Sequence, residues 1–393
     1  MATRKPGDPG DGDGRRPKLR GITEDADRRL RVLQRVFRHK GRPSFDSHRR
    51  AAKDLGLSSQ AVSACVKKGH ENGEFVVIFP DPRERHEVAR LEEAVLRRYE
   101  RFGLREVLLV PGDLEILADI DLARRRALRT EIMQLIALRV ADYLDDRVAE
   151  AVARGRAAVA GGEKAETFII GVAWGRTLHL VAQALQSKPR PCHLADLLVV
   201  PIVAPTAAFR QDPVEANLIA MAIARAYGGR SGQLLCPAFV TKEQAKLLRD
   251  LPDVRRMQAT IRQVDLAITS LGPISANPSA SDVRVSNDPE TNRKILEEAS
   301  KTRAIGDICG VLFGPDGKQV EMSIETMGLG FGLREVARDP DRGTVLAIAS
   351  DLDRLEPVQV AIEAGFASVL ITDTVTARYL VGELDVELPR RAG

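Results

Sequence analysis

A helix-turn-helix head on a doubly wound, largely parallel α/β body is the fold class this sequence predicts. Three observations predict it. Within residues 48–67, Ala52 is followed four residues later by Gly56 and six after that by Val62, with Ala51, Leu55, Leu57 and Cys65 as the other apolar positions. From about residue 104 onward, short unbroken apolar runs alternate with helical periods, the pattern of strands buried on both faces. Charge divides along the same line: residues 1–72 hold 18 Lys/Arg and 9 Asp/Glu, a net of +9, and the remaining 41 and 46 leave −5. A basic head on a mildly acidic body fits nucleic-acid binding by the head alone.

The elements follow in chain order. At 393 residues the chain is long enough for two or three domains. Residues 1–24 are rich in Gly, Pro and charge and read as a disordered basic tail. The head spans 25–82. Its first helix, 25–39, puts Leu30, Leu33, Val36 and Phe37 on one face. The motif's two helices follow at about 46–55 and 58–71. Asn72-Gly73 then turns the chain into a strand, EFVVIF, ending at Pro80. That completes a winged head. Residues 83–103 form an amphipathic linker helix with Val88, Leu91, Val95, Leu96 and Tyr99 on one face, suited to a dimer seam or to lying on the body.

The body is 104–393. It opens on EVLLVPG, passes through a mostly helical stretch at about 115–157, and then alternates. TFIIGVAW, LADLLVVPIVAP, QLLCPAFV, VDLAITSLG, GDICGVLFG, TVLAIAS and SVLITD read as strands, with helical periods between them. No apolar run reaches 18 residues and no signal peptide is present, so a soluble, cytoplasmic protein without membrane contact is expected. The four cysteines, Cys65, Cys192, Cys236 and Cys309, form no CxxC pair and read as small buried residues.

Chemistry concentrates at strand ends. Residues 168–185, FIIGVAWGRTLHLVAQAL, run from a strand through Trp174-Gly175-Arg176-Thr177 into a helix. In an open parallel sheet ligands bind where strands end and helix N-termini offer N–H groups. Gly175 lets a backbone approach an anion, Thr177 adds a hydroxyl and Arg176 a charged donor. The same segment also reads as a plain strand–turn–helix corner. Ser270-Leu271-Gly272, Gly306-Asp307 and Ala204-Pro205-Thr206 are further strand ends for the same crevice. Asp307 suits a sugar hydroxyl, though capping or a turn is the commoner role for Asp; Asp373 reads as the cap of the last helix. No nucleophile elbow, P-loop or metal-ligand spacing is present, so no catalytic residue, cofactor or metal is expected.

In the head, the residues left for a DNA groove and its phosphates are Arg49, Arg50, Ser58, Ser59, Gln60, Ser63, Lys67 and Lys68. Gln60 suits adenine, and the second helix has no Arg for a bidentate guanine contact. A helix-turn-helix used only for protein contacts has the same spacing.

Seven segments, taken in order, resemble the SorC family of sugar-binding transcriptional regulators. They are LGLSSQAVSACVKKGHENG, RRYERFGLREVLLVPG, GVAWGRTL, CPAFV, VDLAITSLG, AIGDICGVLFGPDGKQV and ASVLITDTVTARYL. The resemblance covers about residues 27–383. It implies a winged head on an isomerase/CoA-transferase-like effector domain, a homotetramer built as a dimer of dimers, a double-stranded DNA operator and a small carbohydrate-like, phosphorylated effector. It places effector contacts at Trp174, Gly175, Arg176 and Thr177, at Ser270, Leu271 and Gly272, and at Gly306 and Asp307.

The chain departs from the family in three turns. The usual Gly-Gly and lysine after the TVLAIA strand are replaced by Ser350-Asp351-Leu352-Asp353-Arg354-Leu355-Glu356-Pro357-Val358, with Val358 at the lysine position. Ala204-Pro205 stands for another Gly-Gly, and Ser270 for a glycine. Asp351, Asp353 and Glu356 put negative charge where a phosphate would be repelled. The expected function is a regulator whose operator affinity a metabolite shifts. The alternatives are a constitutive DNA-binding, oligomerising protein with a degenerate pocket and, third, a sugar-phosphate isomerase-type enzyme using Asp307.

Overall fold

The structure, a computed structural model, describes residues 57–58, 60–62, 64–65, 82–117, 121–186, 196–206, 214–274 and 289–384. Two compact units divide the chain, 1–81 and 82–393. In the first unit, residues 60–62 and 64–65 are helical. Ser58 starts that helix: its Oγ accepts from the Ala61 N–H at 3.1 Å and its carbonyl from Val62 N–H at 3.1 Å. Val62 is fully buried, as the motif spacing expects. The tail at 1–24, the helices at 25–39 and 46–55 and the strand after Asn72-Gly73 lie outside the described residues.

The second unit opens with α1 (Pro82–Tyr99), with Pro82 at the helix start, where its missing N–H costs nothing. Leu91, Val95 and Tyr99 are buried. Tyr99 Oη donates to the Leu380 carbonyl at 2.9 Å, Glu92 accepts from the Leu109 N–H at 2.9 Å, and Arg90 pairs with Glu383. Of the two roles the sequence left open, α1 takes the second and lies on the body.

The body is built on a nine-stranded sheet. Its strands are β1 (Glu106–Val110), β2 (Phe168–Val172), β3 (Leu197–Pro201), β4 (Arg230–Ser231), β6 (Leu266–Pro273), β7 (Gly306–Ile308), β8 (Val311–Phe313), β10 (Thr344–Ile348) and β11 (Val369–Asp373). The path β1-β11-β10-β6-β2-β3-β4 is parallel throughout. β5 (Phe239–Thr241) and β9 (Ile324–Thr326) form a separate antiparallel pair. Every residue of β11, and the last four of β2 and β10, is buried, which is why these strands are mostly Val, Ile, Leu and Ala without polar alternation.

Ten helices among the described residues complete the body. The others are α2 (Leu122–Ala160), α3 (Arg176–Gln186), α4 (Ala216–Ala226), α5 (Lys242–Asp250), α6 (Pro252–Ile261), α7 (Pro289–Lys301), α8 (Leu333–Arg338), α9 (Leu355–Glu363) and α10 (Thr374–Val381). α2 runs 39 residues, capped by Asp121, whose carboxylate accepts from Arg124 N–H at 2.8 Å. Leu128, Ile132, Ile136, Val140, Leu144, Val148 and Ala151 supply its buried stripe at helical spacing.

Two sequence readings need revision. GDICGVLFG reads as one strand but folds as the β7–β8 hairpin, because Cys309 (φ 52°) and Gly310 (φ 74°) both take left-handed conformations and reverse the chain in two residues. QLLCPAFV yields only the short β5, off the main sheet.

Candidate functional site

Strand order reverses at the centre of the sheet. From β2 the chain moves outward to β3 and β4; from β6 it moves the other way, to β10 and β11. The crevice beyond the carboxyl ends of β2 and β6 is therefore the topological switch point, where open α/β sheets take their ligands.

After β2 the chain reaches Trp174-Gly175-Arg176-Thr177. Gly175 has φ 123°, which other residues rarely adopt. Its N–H donates to the Val214 carbonyl at 2.9 Å and its carbonyl accepts from His179 N–H at 3.0 Å. Gly175 thus closes the turn and starts α3, and its own N–H is committed within the chain. The N–H groups of Arg176, Thr177 and Leu178 follow at the helix start, where backbone donors lack intrahelical partners. Arg176 is exposed and Thr177 is buried. The Trp174 indole stacks obliquely on Phe239, ring centres 5.9 Å apart, and reaches over Gly310, where a methyl group would lie 3.0 Å from the indole.

β6 carries the second set. Up to Ser270 it pairs in parallel with β10; from Leu271 to Pro273 it leaves β10 and pairs antiparallel with β7. That change of partner brings Asp307 opposite Gly272. Asp307 Oδ1 occupies the space a Gly272 side chain would fill, and Oδ2 accepts from the Gly310 N–H at 3.0 Å. Burial pushes the Asp307 carboxyl above the ordinary carboxylate range, opposed by that hydrogen bond and the Arg354 charge. Ser270 Oγ stands beside Gly175, 3.4 Å from where a methyl group there would lie. Leu271 is fully buried, so it offers the crevice its backbone alone. Gly306 is buried against Phe313 and the Gly272 carbonyl.

The turn after β10 is the third wall. Its Asp351 has φ 116°. One Asp351 oxygen accepts from the Leu352 N–H at 2.8 Å, and the other pairs with Arg129 Nε of α2 at 2.7 Å. Asp353 is exposed. Arg354, which no site reading included, is half-buried with its Nε shut from solvent, beside Asp307, Asp351, Asp353, Arg129 and Arg176. The sequence signal for it was its place in the turn that replaces Gly-Gly.

The neighbouring strand ends are occupied within the fold. Asp373 caps α10 as expected, accepting from Val375 N–H at 2.8 Å, Thr376 N–H at 2.9 Å and Thr376 Oγ1 at 2.9 Å. Thr206, beyond β3, bonds the Glu215 carboxylate through N–H and Oγ1. Trp174, Gly175, Arg176, Thr177, Ser270, Gly272, Gly306 and Asp307 thus meet around one crevice.

In the head, Ser58 and Gln60 are exposed, with Ser58 acting as helix cap. Arg49, Arg50, Ser59, Ser63, Lys67 and Lys68 lie outside the described residues, as does Cys192. Among the described residues, no three His, Cys, Asp or Glu side chains gather as a metal site, and no helix is long and apolar enough to cross a membrane.

Comparison with known proteins places this geometry among relatives. The Sugar-bind family, described as a sugar-binding domain, matches residues 87–382. The deoxyribonucleoside regulator of Bacillus subtilis is 24% identical over 343 residues, covering 86% of this chain and 93% of that protein. Among solved structures, the full-length sorbitol operon regulator SorC from Klebsiella pneumoniae superposes with a TM-score of 0.57 at 18% identity, covering 91% of this chain and 99% of that one. A DeoR family transcriptional regulator from Listeria monocytogenes gives 0.56 at 22% identity, over 75% and 99%.

Proposed function

The chain belongs to the Sugar-bind family of sugar-binding domains, and on that premise we propose that it is a DNA-binding transcriptional regulator whose operator affinity changes when a small carbohydrate-like metabolite occupies the crevice beyond β2 and β6. The convergence of the turn after β2, the β6–β7 crossing and the turn after β10 at the switch point carries this reading. The relatives named above are regulators rather than enzymes. Asp307 is already engaged as a turn residue by Gly310, which weighs against a proton-abstracting role. Exposed Gln60, on a helix that Ser58 caps and Val62 anchors, is the base-reading residue of the head.

Binding in the crevice alters the operator only if the ligand favours one arrangement of the molecule by a free-energy difference, about 1–3 kcal/mol in typical cases. The working assembly is the homotetramer, a dimer of dimers, that the family resemblance implies, in the cytoplasm. Selection of bound fragments from sheared genomic DNA by the full-length protein, at about 150 mM salt to suppress purely electrostatic binding, tests the regulator. A few enriched palindromic sites, lost with Gln60→Ala plus Ser63→Ala, are expected. Random recovery with the head folded overturns it.

A further inference from the structure

Asp351, on the turn after β10, stands at φ 116° and ψ 147°, a backbone conformation that glycine adopts freely and an L side chain resists. Residues persist in such conformations only where their surroundings over-determine them, and they cluster at ligand clamps. Here the carboxylate itself supplies the restraint. Oδ1 accepts from the Leu352 N–H at 2.8 Å, and Oδ2, shut from solvent, pairs with Arg129 Nε of α2 at 2.7 Å. The Asp351 side chain is 8% exposed. A backbone N–H and a guanidinium converging on one carboxylate are the donors that an incoming phosphate or carboxylate would need. The chain's own acid already holds them.

The other charges nearby are close to balance. Asp351, Asp353 and Asp307 stand against Arg129, Arg354 and Arg176, with Arg125 also acting on Asp353. What the crevice presents besides is Ser270 Oγ beside Gly175, the Asp307 carboxylate and the half-buried Trp174 indole. Ser270 and Asp307 can accept from hydroxyl groups, whereas a phosphate would bring acceptor oxygens and negative charge against them. We propose that Asp351 is a built-in anion filling the oxyanion position of the crevice, so that the site takes an uncharged, hydroxyl-rich ligand, a free sugar or polyol, and excludes phosphate esters and sugar acids. This rests on the carbohydrate-effector reading above and assigns the specificity of that crevice to one side chain. The strain at residue 351 is then the counterpart of selectivity: the carboxylate holds the backbone in place, and the backbone holds the carboxylate over Arg129.

The test is thermal melting and calorimetric titration of the full-length protein with ribose, glucose and their alditols, each beside its phosphate ester, and with gluconate and inorganic phosphate alone. In wild type a neutral member is expected to raise Tm, and its phosphate ester to bind about tenfold or more weakly. Asp351→Gly suits the backbone and frees the Leu352 N–H and Arg129, so it is expected to gain a Tm rise with inorganic phosphate and the phosphate esters. Adding Arg129→Gln to that variant is expected to remove the gain. A merely structural aspartate moves only the ligand-free Tm and creates no response to anions. Should Asp351→Gly fail to fold, Asp351→Asn keeps the side chain, loses the charge and is expected to show the same gain in smaller measure. If wild type binds a phosphate ester as tightly as its neutral partner, or neither variant gains an anion response, the Asp351 assignment fails and the carbohydrate reading stands. If wild type binds no sugar of either charge, the carbohydrate reading fails. The built-in anion is then decided by inorganic phosphate, which must bind Asp351→Gly and not wild type.

Discussion

Asp307 holds its position because Gly272 has no side chain. A methyl group at residue 272 would overlap Asp307 Oδ1, so the carboxylate must shift, which strains the bond its Oδ2 accepts from Gly310. Gly272→Ala is expected to cost about 1–3 kcal/mol by overpacking and to abolish any ligand-induced rise in Tm. Melting curves with and without the effector check both. A variant that melts normally and still responds would show that Asp307 is free to move. Arg176→Ala acts differently. It removes an exposed charge, so stability should change by less than about 0.5 kcal/mol while ligand affinity falls. Titration calorimetry beside urea unfolding separates the two effects. The residues that sequence reasoning gathered, Trp174 to Thr177, Ser270, Gly272, Gly306 and Asp307, were legible because glycine and polar residues interrupt apolar runs where strands end. Leu271 misled because it sits between two such residues, yet its side chain alternates into the core. Arg354 was illegible as a site residue because no periodicity tells a half-buried arginine from a solvated one.

Among the elements, α10 is capped by one carboxylate, and another helps tie α1 to the sheet. Asp373 accepts three hydrogen bonds from α10 while buried, and Asp373→Ala should cost about 2 kcal/mol or more through the lost cap and stranded donors. Urea denaturation at neutral pH measures it. Glu92 ties α1 to β1 through the Leu109 N–H, and burial raises its pKa above the ordinary 4.5, against the lowering effect of that bond. The folded state therefore holds the Glu92 proton more tightly than the unfolded chain does. Its contribution is complete below pH 4.5 and is lost as pH rises through the folded value. Stability of wild type relative to Glu92→Gln is expected to fall between pH 4 and pH 7, in urea melts at unit pH intervals; a flat difference would mean that Glu92 is hydrated. Element identity was legible wherever burial is two-sided, as in β2, β10 and β11. It was illegible in GDICGVLFG, where a hairpin turn hides in an apolar run because Cys309 carries no turn signal of its own.

At the scale of the whole molecule, the parallel body was legible from alternation, and the family match over 87–382 bears out the resemblance carried by seven short segments. Strand order was not legible, since alternation says nothing of which side of the sheet each crossover takes. Ile170, fully buried in β2 at the centre of that order, is the place to probe the common core: Ile170→Ala should cost about 2–5 kcal/mol. A single cooperative urea transition shifted by that amount would verify it. One feature limits how such a chain can be altered. β6 belongs to two ladders of opposite sense, parallel with β10 up to Ser270 and antiparallel with β7 from Leu271. Side chains alternate faces along its whole length, so adding or deleting a residue anywhere in 266–273 inverts one ladder relative to the other. It would turn Leu271 out of the core or carry Gly272 away from Asp307, with no register that repairs both. The Asp316-Gly317 turn, which follows β8, belongs to neither ladder. Changes of length in this body are therefore written at its turns, while β6 tolerates only exchange of one residue for another.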